Sequence, residues 1–250
     1  MKKILALLLS VCLLFGLTAC QEQEVEQALD IAIAVLEELE AYEQATAEAP
    51  GEEAAGSVEE IPPYSGEAFV PVNGNVPFFR EEEYTTESYE FYSELDELGR
   101  CGMTMACIGT DIMPTEERGN IGSVKPSGWQ SVKYDIVEGK YLYNRCHLIG
   151  FQLAGENANK RNLITGTRYL NIEGMLPFED MVADYVKETE NHVLYRVTPI
   201  FNGDDLVAEG VLMEGWSVED EGDGICFCVY AYNAQPGIVI DYATGDSHEE

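Results

Sequence analysis

From residue 67 to residue 250, one stretch carries helical periodicity; the other regular runs alternate like strands. Strand-like runs cover residues 101–109, 130–137, 140–149, 192–201, 206–214, 225–232 and 238–242. Glu138-Gly139 predicts a hairpin turn between the second and third runs, and Asn202-Gly203-Asp204-Asp205 predicts one between the fourth and fifth. Asp220-Glu221-Gly222-Asp223-Gly224 lacks the full spacing of a calcium loop and reads as a further turn. The helical stretch runs from about 168 to 188, with Leu170, Met175, Phe178, Met181, Val182 and Tyr185 on or near an apolar stripe. Pro177 divides it or starts its second part, because proline lacks the N–H a helix interior needs. The expectation is an α+β domain over 67–250, an antiparallel β-sheet core with one main helix packed on it. About 180 residues are enough to bury a sizeable core.

The chain ahead of this domain is of another kind. Lys2 and Lys3 precede an apolar run from Ile4 to Leu17, shorter than the roughly 20 residues a spanning helix needs. It ends in Leu17-Thr18-Ala19-Cys20, which resembles the lipobox of bacterial lipoproteins. That resemblance implies cleavage before Cys20, lipidation of its thiol, and a protein held on the outer face of a bacterial membrane. An ordinary secretory signal, giving a secreted protein, is the alternative. Residues 24–46 have helical spacing among glutamates, and the stretch 47–66, rich in Ala, Glu, Gly, Pro and Ser, reads as a tether. The division is therefore signal at 1–20, acidic helical and disordered tether at 21–66, and domain at 67–250.

The chain has 46 acidic and 14 basic side chains, a net charge of −32, which argues against tight non-specific binding to nucleic acid. The distribution changes that conclusion. Residues 21–60 hold thirteen acids and no base, whereas Lys125, Lys133, Lys140, Arg145, Lys160, Arg161 and Arg168 fall between 125 and 168 against only Asp135, Glu138 and Glu156. A basic patch on an acidic body can still hold phosphates.

Five cysteines lie in the domain, Cys101, Cys107, Cys146, Cys226 and Cys228, an odd number without C-x-x-C metal spacing. Buried small hydrophobes are the expected role, with Cys101 and Cys107 on one strand face and Cys226 and Cys228 on another. Cys146 and His147 are neighbours, which a strand points to opposite faces, so they make a poor nucleophile–base pair.

Of three histidines, His147 stands apart, within Tyr143-Asn144-Arg145-Cys146-His147-Leu148-Ile149-Gly150. Asn162, Asn171 and Glu179 follow, the last two eight residues apart. A histidine can take a proton near neutral pH, an amide oxygen and a carboxylate suit a hard divalent ion, and arginines suit phosphate oxygens. These are the parts needed to hydrolyse a phosphodiester with one metal ion.

Asn144-Arg145-Cys146-His147 resembles the Asp-Arg-Gly-His signature of the DNA/RNA non-specific endonucleases, a branch of the ββα-metal nucleases, with Asn144 in the Asp position and Cys146 in the Gly position. Asn162-Leu163-Ile164-Thr165 resembles that family's following strand, and Asn171 with Glu179 its helix pair; the likeness covers roughly 100 to 245. The tail, Asn233-Ala234-Gln235-Pro236-Gly237 and then Ile240-Asp241-Tyr242-Ala243-Thr244-Gly245, looks like the bacterial extracellular branch. The resemblance implies a ββα-metal motif in which His147 is the general base and Asn171 binds a magnesium (or manganese) ion. Glu179 would hold a metal-bound water, Asn162 would order the site or the base, and Arg145 would contact phosphate or support the site's fold. Arg168, Lys160 and Arg161 are further substrate-binding candidates, while Arg118 and Lys125 lie in a Gly-rich stretch that reads as an ordinary loop able to approach substrate. The implied substrate is DNA, with RNA open, and no obligate protein partner is indicated. A surface-tethered binding module on a nuclease-like scaffold is the alternative from another class, and a phosphodiesterase for small nucleotide esters is a third.

Overall fold

The computed structural model describes residues 61–250, so the expected signal, the lipidation site at Cys20 and the helix at 24–46 lie outside the described residues. The core is a six-stranded sheet built from β1 (Phe69–Pro71), β2 (Tyr89–Tyr92), β3 (Thr104–Ile108), β6 (Val193–Ile200), β7 (Gly210–Ser217) and β8 (Cys226–Tyr232), in the order β1-β8-β7-β6-β3-β2 with every pairing antiparallel. Two smaller ladders stand apart from it. One is β4 (Tyr143–His147) with β5 (Leu163–Thr167), and the other is β9 (Ile238–Ile240) with β10 (Ser247–Glu249). The chain is α+β, as its patterning predicts.

The strands of the large sheet are apolar on both faces because both faces are covered. One face, with Ala106, Ile108, Tyr195, Val197, Val211, Met213, Phe227 and Val229, packs in a single cluster with Cys146 and Ile164 of the β4–β5 ladder and with Phe178, Val182 and Val186 of α1 (Leu176–Thr189). The other face is covered from the N-terminal side. Ile61, Val70, Val72 and Phe78 pack on Leu212, Cys228 and Tyr230, and the Tyr232 hydroxyl donates to the Pro62 carbonyl at 2.6 Å. Residues 61–66, expected to belong to the tether, are thus part of the packed body. On this second face Arg196 and Glu214, register partners on β6 and β7, form a two-pronged ion pair at 2.7 and 2.8 Å, joined by Glu83 at 3.3 Å.

Three elements depart from the sequence reading. The hairpin expected over 130–149 is reduced to its turn end, where the Tyr134 N–H donates to the Lys140 carbonyl at 2.8 Å and the Leu142 N–H to the Val132 carbonyl at 3.2 Å. Lys133 and Tyr141 make an isolated bridge around the Glu138-Gly139 turn, where Gly139 and Lys140 both have positive φ (71° and 69°). Val132, Tyr134 and Val137 pack instead in a local cluster with Leu142, Tyr143, Ile238 and Ile240, and β4 takes β5 as its partner. The fifth run begins later than expected, at Gly210, because residues 202–209 are spent on the turn. Cys101 and Cys107 belong to different clusters, since Cys101 precedes β3 and its alternation does not reach it. All five domain cysteines are free, and only Cys226 is less than fully buried.

The helical stretch is in two parts. Leu170–Met175 is a turn of π-helix and Leu176–Thr189 is α1, with Pro177 in its first turn, where a missing N–H costs nothing. Thr167 sets the junction: its hydroxyl accepts from the Leu170 N–H at 2.9 Å and donates to the Ala234 carbonyl at 2.6 Å.

Candidate active site

The β4–β5 ladder and the helix after it form a ββα unit that opens onto a cleft of about 1020 Å³. His147, the last residue of β4, lies on the wall of this cleft and is 6% exposed. The turn after it is pinned by Asn162, which is fully buried. Its side-chain oxygen accepts from the Ile149 N–H at 2.8 Å and its amide donates to the Ile149 carbonyl at 2.9 Å. The backbone two residues beyond the imidazole is therefore clamped from both sides.

The imidazole has a partner on each nitrogen. Nε2–H donates to the Asn157 carbonyl at 2.8 Å, which puts the neutral ring's proton on Nε2 and its lone pair on Nδ1. Arg118 donates to that lone pair from Nη2 at 3.2 Å. Burial holds the His147 pKa down to about 4; the Asn157 carbonyl opposes the shift and the Arg118 guanidinium adds to it. The ring is neutral at physiological pH, with Nδ1 able to accept a proton once Arg118 moves off it.

Asn171 and Glu179 line the same cleft. In a regular α-helix, i and i+7 share a face, whereas i+8 overshoots. The π turn absorbs one extra residue, closing with the Leu176 N–H on the Asn171 carbonyl, so Asn171 and Glu179 sit as if seven apart. π turns of this kind are frequent at functional sites. Glu179 is half-buried and, among the described residues, accepts no hydrogen bond and has no ion-pair partner. Burial lifts its carboxyl to about 8, Asp180 adds to the rise, and Arg118 works against it. The carboxylate is seated against Gly150, where a Cβ would come to 2.5 Å from Oε2. Gly150 has φ −57°, so this glycine is required by space and not by conformation.

One amide oxygen and one uncompensated carboxylate, with a bare glycine leaving room beside them, fit a hard divalent ion that keeps several of its own waters. No group of three or more His, Cys, Asp and Glu side chains gathers among the described residues, so the donor set is this sparse mixed one and not a closed cage.

Arg145 points into the loop that carries Arg118. Its Nη2 donates to the Gly122 carbonyl at 2.9 Å, its Nε to the Val124 carbonyl, and its guanidinium lies 3.9 Å from the centroid of the Trp129 ring. This is the geometry of a clasp on residues 118–129. Arg168 lines the cleft with a loose contact to Glu138 at 3.6 Å and leaves its Nε without a partner. Lys160 and Arg161, expected to bind substrate from the local charge, do not line the cleft. Lys160 is exposed on a 3-10 turn and Arg161 is paired with Glu94 at 2.7 Å. The cleft's cationic side chains are Arg118, Lys125, Arg145 and Arg168. Arg118 was legible only as an arginine in a Gly-rich loop. Asn157 gave no signal, since it contributes a backbone carbonyl that any residue could supply.

The two departures from the signature sit differently. Cys146 points into the core and is fully buried, and burial pushes its thiol far up, which is the state of an inert packing residue. Asn144 lines the cleft with its Nδ2 buried and unpaired.

A model of the DNA/RNA non-specific endonucleases matches residues 80–218, more than half of the chain. The chain belongs to the DNA/RNA non-specific endonuclease family. Its substrate class is therefore nucleic acid, and its chemistry that of a nuclease hydrolase. Among solved members of similar shape, NucA from Streptococcus agalactiae with a magnesium ion bound is 24% identical, with a TM-score of 0.66 over 77% of this chain and 91% of that one. Sda1 nuclease with a bound zinc ion is 29% identical, with a TM-score of 0.58 over 65% of this chain and 81% of that one. An extracellular endonuclease shares the fold at 20% identity and a TM-score of 0.52. The ββα nuclease architecture expected from the sequence is the one these structures share, and the bound ions in two of them differ.

Proposed function

We infer that this endonuclease hydrolyses DNA phosphodiesters with little sequence preference, RNA remaining open as a second substrate, using His147 as general base and a divalent ion held by Asn171 and Glu179. The observation that carries the reading is the convergence on one cleft of a neutral imidazole and the Asn171–Glu179 pair, with the imidazole's free lone pair set on Nδ1 by the Asn157 carbonyl. Magnesium or manganese, when bound, would supply Lewis acidity at the phosphate and at the leaving oxygen. The chain's own residues do the rest. Nδ1 of His147 takes the proton of the attacking water, and the Asn157 carbonyl accepts from the imidazolium so formed. Asn171 would supply a direct oxygen ligand to that ion, and Glu179 would hold a metal-bound water. Arg118 and Arg168 offer guanidinium groups to the phosphate oxygens, and Arg145 keeps the loop of Arg118 in place.

The leader supports export and attachment through a lipid on Cys20 at the outer face of a bacterial membrane, with no obligate protein partner. The decisive assay incubates the purified protein with supercoiled plasmid in magnesium, in manganese and in chelator. Wild type nicks and degrades the plasmid only with metal, and His147→Ala lowers the rate at least about 100-fold, the scale of general-base catalysis, while circular dichroism stays unchanged. Cutting by His147→Ala at the wild-type rate overturns the mechanism, and cutting in chelator overturns the metal.

A further inference from the structure

Tyr141, Tyr143, Asn144, Arg145 and His147 line the cleft, while Leu142 and Cys146 pack in the apolar clusters behind it. Two aromatic groups on this wall are already occupied. The Tyr143 ring is buried and its hydroxyl donates to the Gly245 carbonyl at 2.9 Å, while Trp129 is covered by the Arg145 guanidinium. Tyr141 is not. Its side chain is 49% exposed and contributes to none of the apolar clusters. Lys133, its bridge partner, is exposed as well and holds its ammonium 4.3 Å from the centre of the Tyr141 ring. The two acids of the intervening turn are engaged elsewhere, Asp135 with Lys140 at 2.9 Å and Glu138 with Arg168 at 3.6 Å.

A solvent-exposed aromatic ring with a cation on it that has no ion-pair partner among the described residues supplies both groups by which proteins hold single-stranded nucleic acid: the ring stacks on a base and the cation follows the backbone. We propose that Tyr141 with Lys133 is a stacking subsite for an unpaired nucleobase of the strand being cut. The proposal rests on the nuclease reading of the cleft and deepens it. Tyr141 stands six positions before His147 with a bend at Leu142, so the two are at most about 20 Å apart at roughly 3.3 Å per residue. The stacked base therefore lies up to several nucleotides from the scissile phosphate, and only a substrate long enough to span that distance uses the subsite. A base inside a duplex already stacks on its neighbours and offers no free face, so the subsite favours single strands.

The test uses wild type, Tyr141→Ala and Tyr141→Phe. Binding to a fluorescein-labelled single-stranded thymidylate 12-mer is read by anisotropy in chelator, and cleavage of the 12-mer, of a thymidine dinucleotide and of a hairpin duplex is read in magnesium. Tyr141→Ala should weaken 12-mer binding and raise its KM about 5- to 150-fold, the worth of one base–aromatic stack, with kcat retained. The dinucleotide should be unaffected and the hairpin nearly so, and Tyr141→Phe, which keeps the ring, should behave like wild type. Equal 12-mer affinity in wild type and Tyr141→Ala overturns the subsite, as does an equal loss on the dinucleotide. Failure of wild type to cut any of the substrates would instead overturn the nuclease reading, and the anisotropy arm would still decide the stacking.

Discussion

Nη2 of Arg118 lies 3.2 Å from Nδ1 of His147, on the one ring nitrogen that the Asn157 carbonyl leaves with a free lone pair. The guanidinium thus caps the base and adds to the effect of burial in keeping it unprotonated. A phosphate entering the cleft competes for the same guanidinium through a charge-assisted bond stronger than the neutral contact to imidazole. Arg118→Ala is expected to lower kcat/KM on plasmid about 100-fold or more, the cost of losing one preorganised donor at developing charge. Steady-state kinetics with a DNA substrate check this, and a rate within twofold of wild type would remove Arg118 from the machinery.

The same contact predicts a titration. His147 should titrate near pH 4 in the metal-free protein by NMR. Arg118→Ala should move the midpoint upward but leave it below the ordinary histidine value of about 6.5, since burial is the larger cause. The folded pKa is below the unfolded one, so the unfolded chain binds the extra proton first. The stability held by the neutral ring is complete above about pH 6.5 and is lost as pH falls through about 4, on the order of 3 kcal/mol in all. Denaturant midpoints followed from pH 7 to pH 4 should fall less in His147→Gln than in wild type.

Asn162 yields a prediction about stability and not chemistry. Its amide satisfies both backbone groups of Ile149 with no exposure to water. Asn162→Ala leaves a buried N–H and a buried carbonyl without partners, a cost of about 2–6 kcal/mol at 1–3 kcal/mol for each group. Urea unfolding should show the loss. Asn162→Asp should recover little, because a carboxylate can accept from the Ile149 N–H but cannot donate to the Ile149 carbonyl.

The family resemblance points to His147, Asn171 and Glu179 by their motifs, and all three line one cleft. The interval of eight between Asn171 and Glu179 makes physical sense only with the π turn, which no local residue pattern announces. Arg118 reaches His147 through a loop clasped by Arg145, and loop geometry depends on contacts distant in sequence. The ion pair of Arg196 with Glu214 was hidden for a related reason: it depends on the β6–β7 register, which neither strand states alone. Residues 130–137 misled because their apolar alternation serves a local cluster with Ile238 and Ile240 instead of a ladder. Local charge misled at Lys160 and Arg161, because net charge along the chain does not say which side chains face the cleft.

Gly150 tests the proposed metal seat without touching a ligand. A methyl group there would meet the Glu179 carboxylate at 2.5 Å from Oε2 and 2.8 Å from its carbon, forcing that side chain aside. Gly150→Ala should weaken magnesium or manganese binding about 10- to 100-fold, the usual cost of disturbing an outer-shell partner. The φ of −57° suits alanine, so the melting temperature should change little. Calorimetric titration of metal into wild type and variant decides it, and equal affinities would place the ion away from Glu179.

Cys146, where the family signature has glycine, packs against Gly166, which lies diagonally across the ladder as the register partner of Asn144. A Cβ at Gly166 would overlap Cys146 Sγ and come to 3.1 Å from its Cβ and 3.2 Å from Leu170 Cδ2. The thiol fills the space that a side chain at 166 would need, so the two positions are coupled by volume. Gly166→Ala alone should destabilise by about 1–3 kcal/mol through overpacking. Cys146→Gly alone should destabilise as well, by leaving a cavity beneath the strand that carries His147. Combined, the changes relieve each other, and the double variant should be more stable than the sum of the single losses allows by at least about 0.5 kcal/mol. Urea denaturation of the four proteins measures that coupling. Simple additivity would mean that Cys146 and Gly166 do not share the space the geometry gives them, and that the cysteine entered the signature without a packing partner.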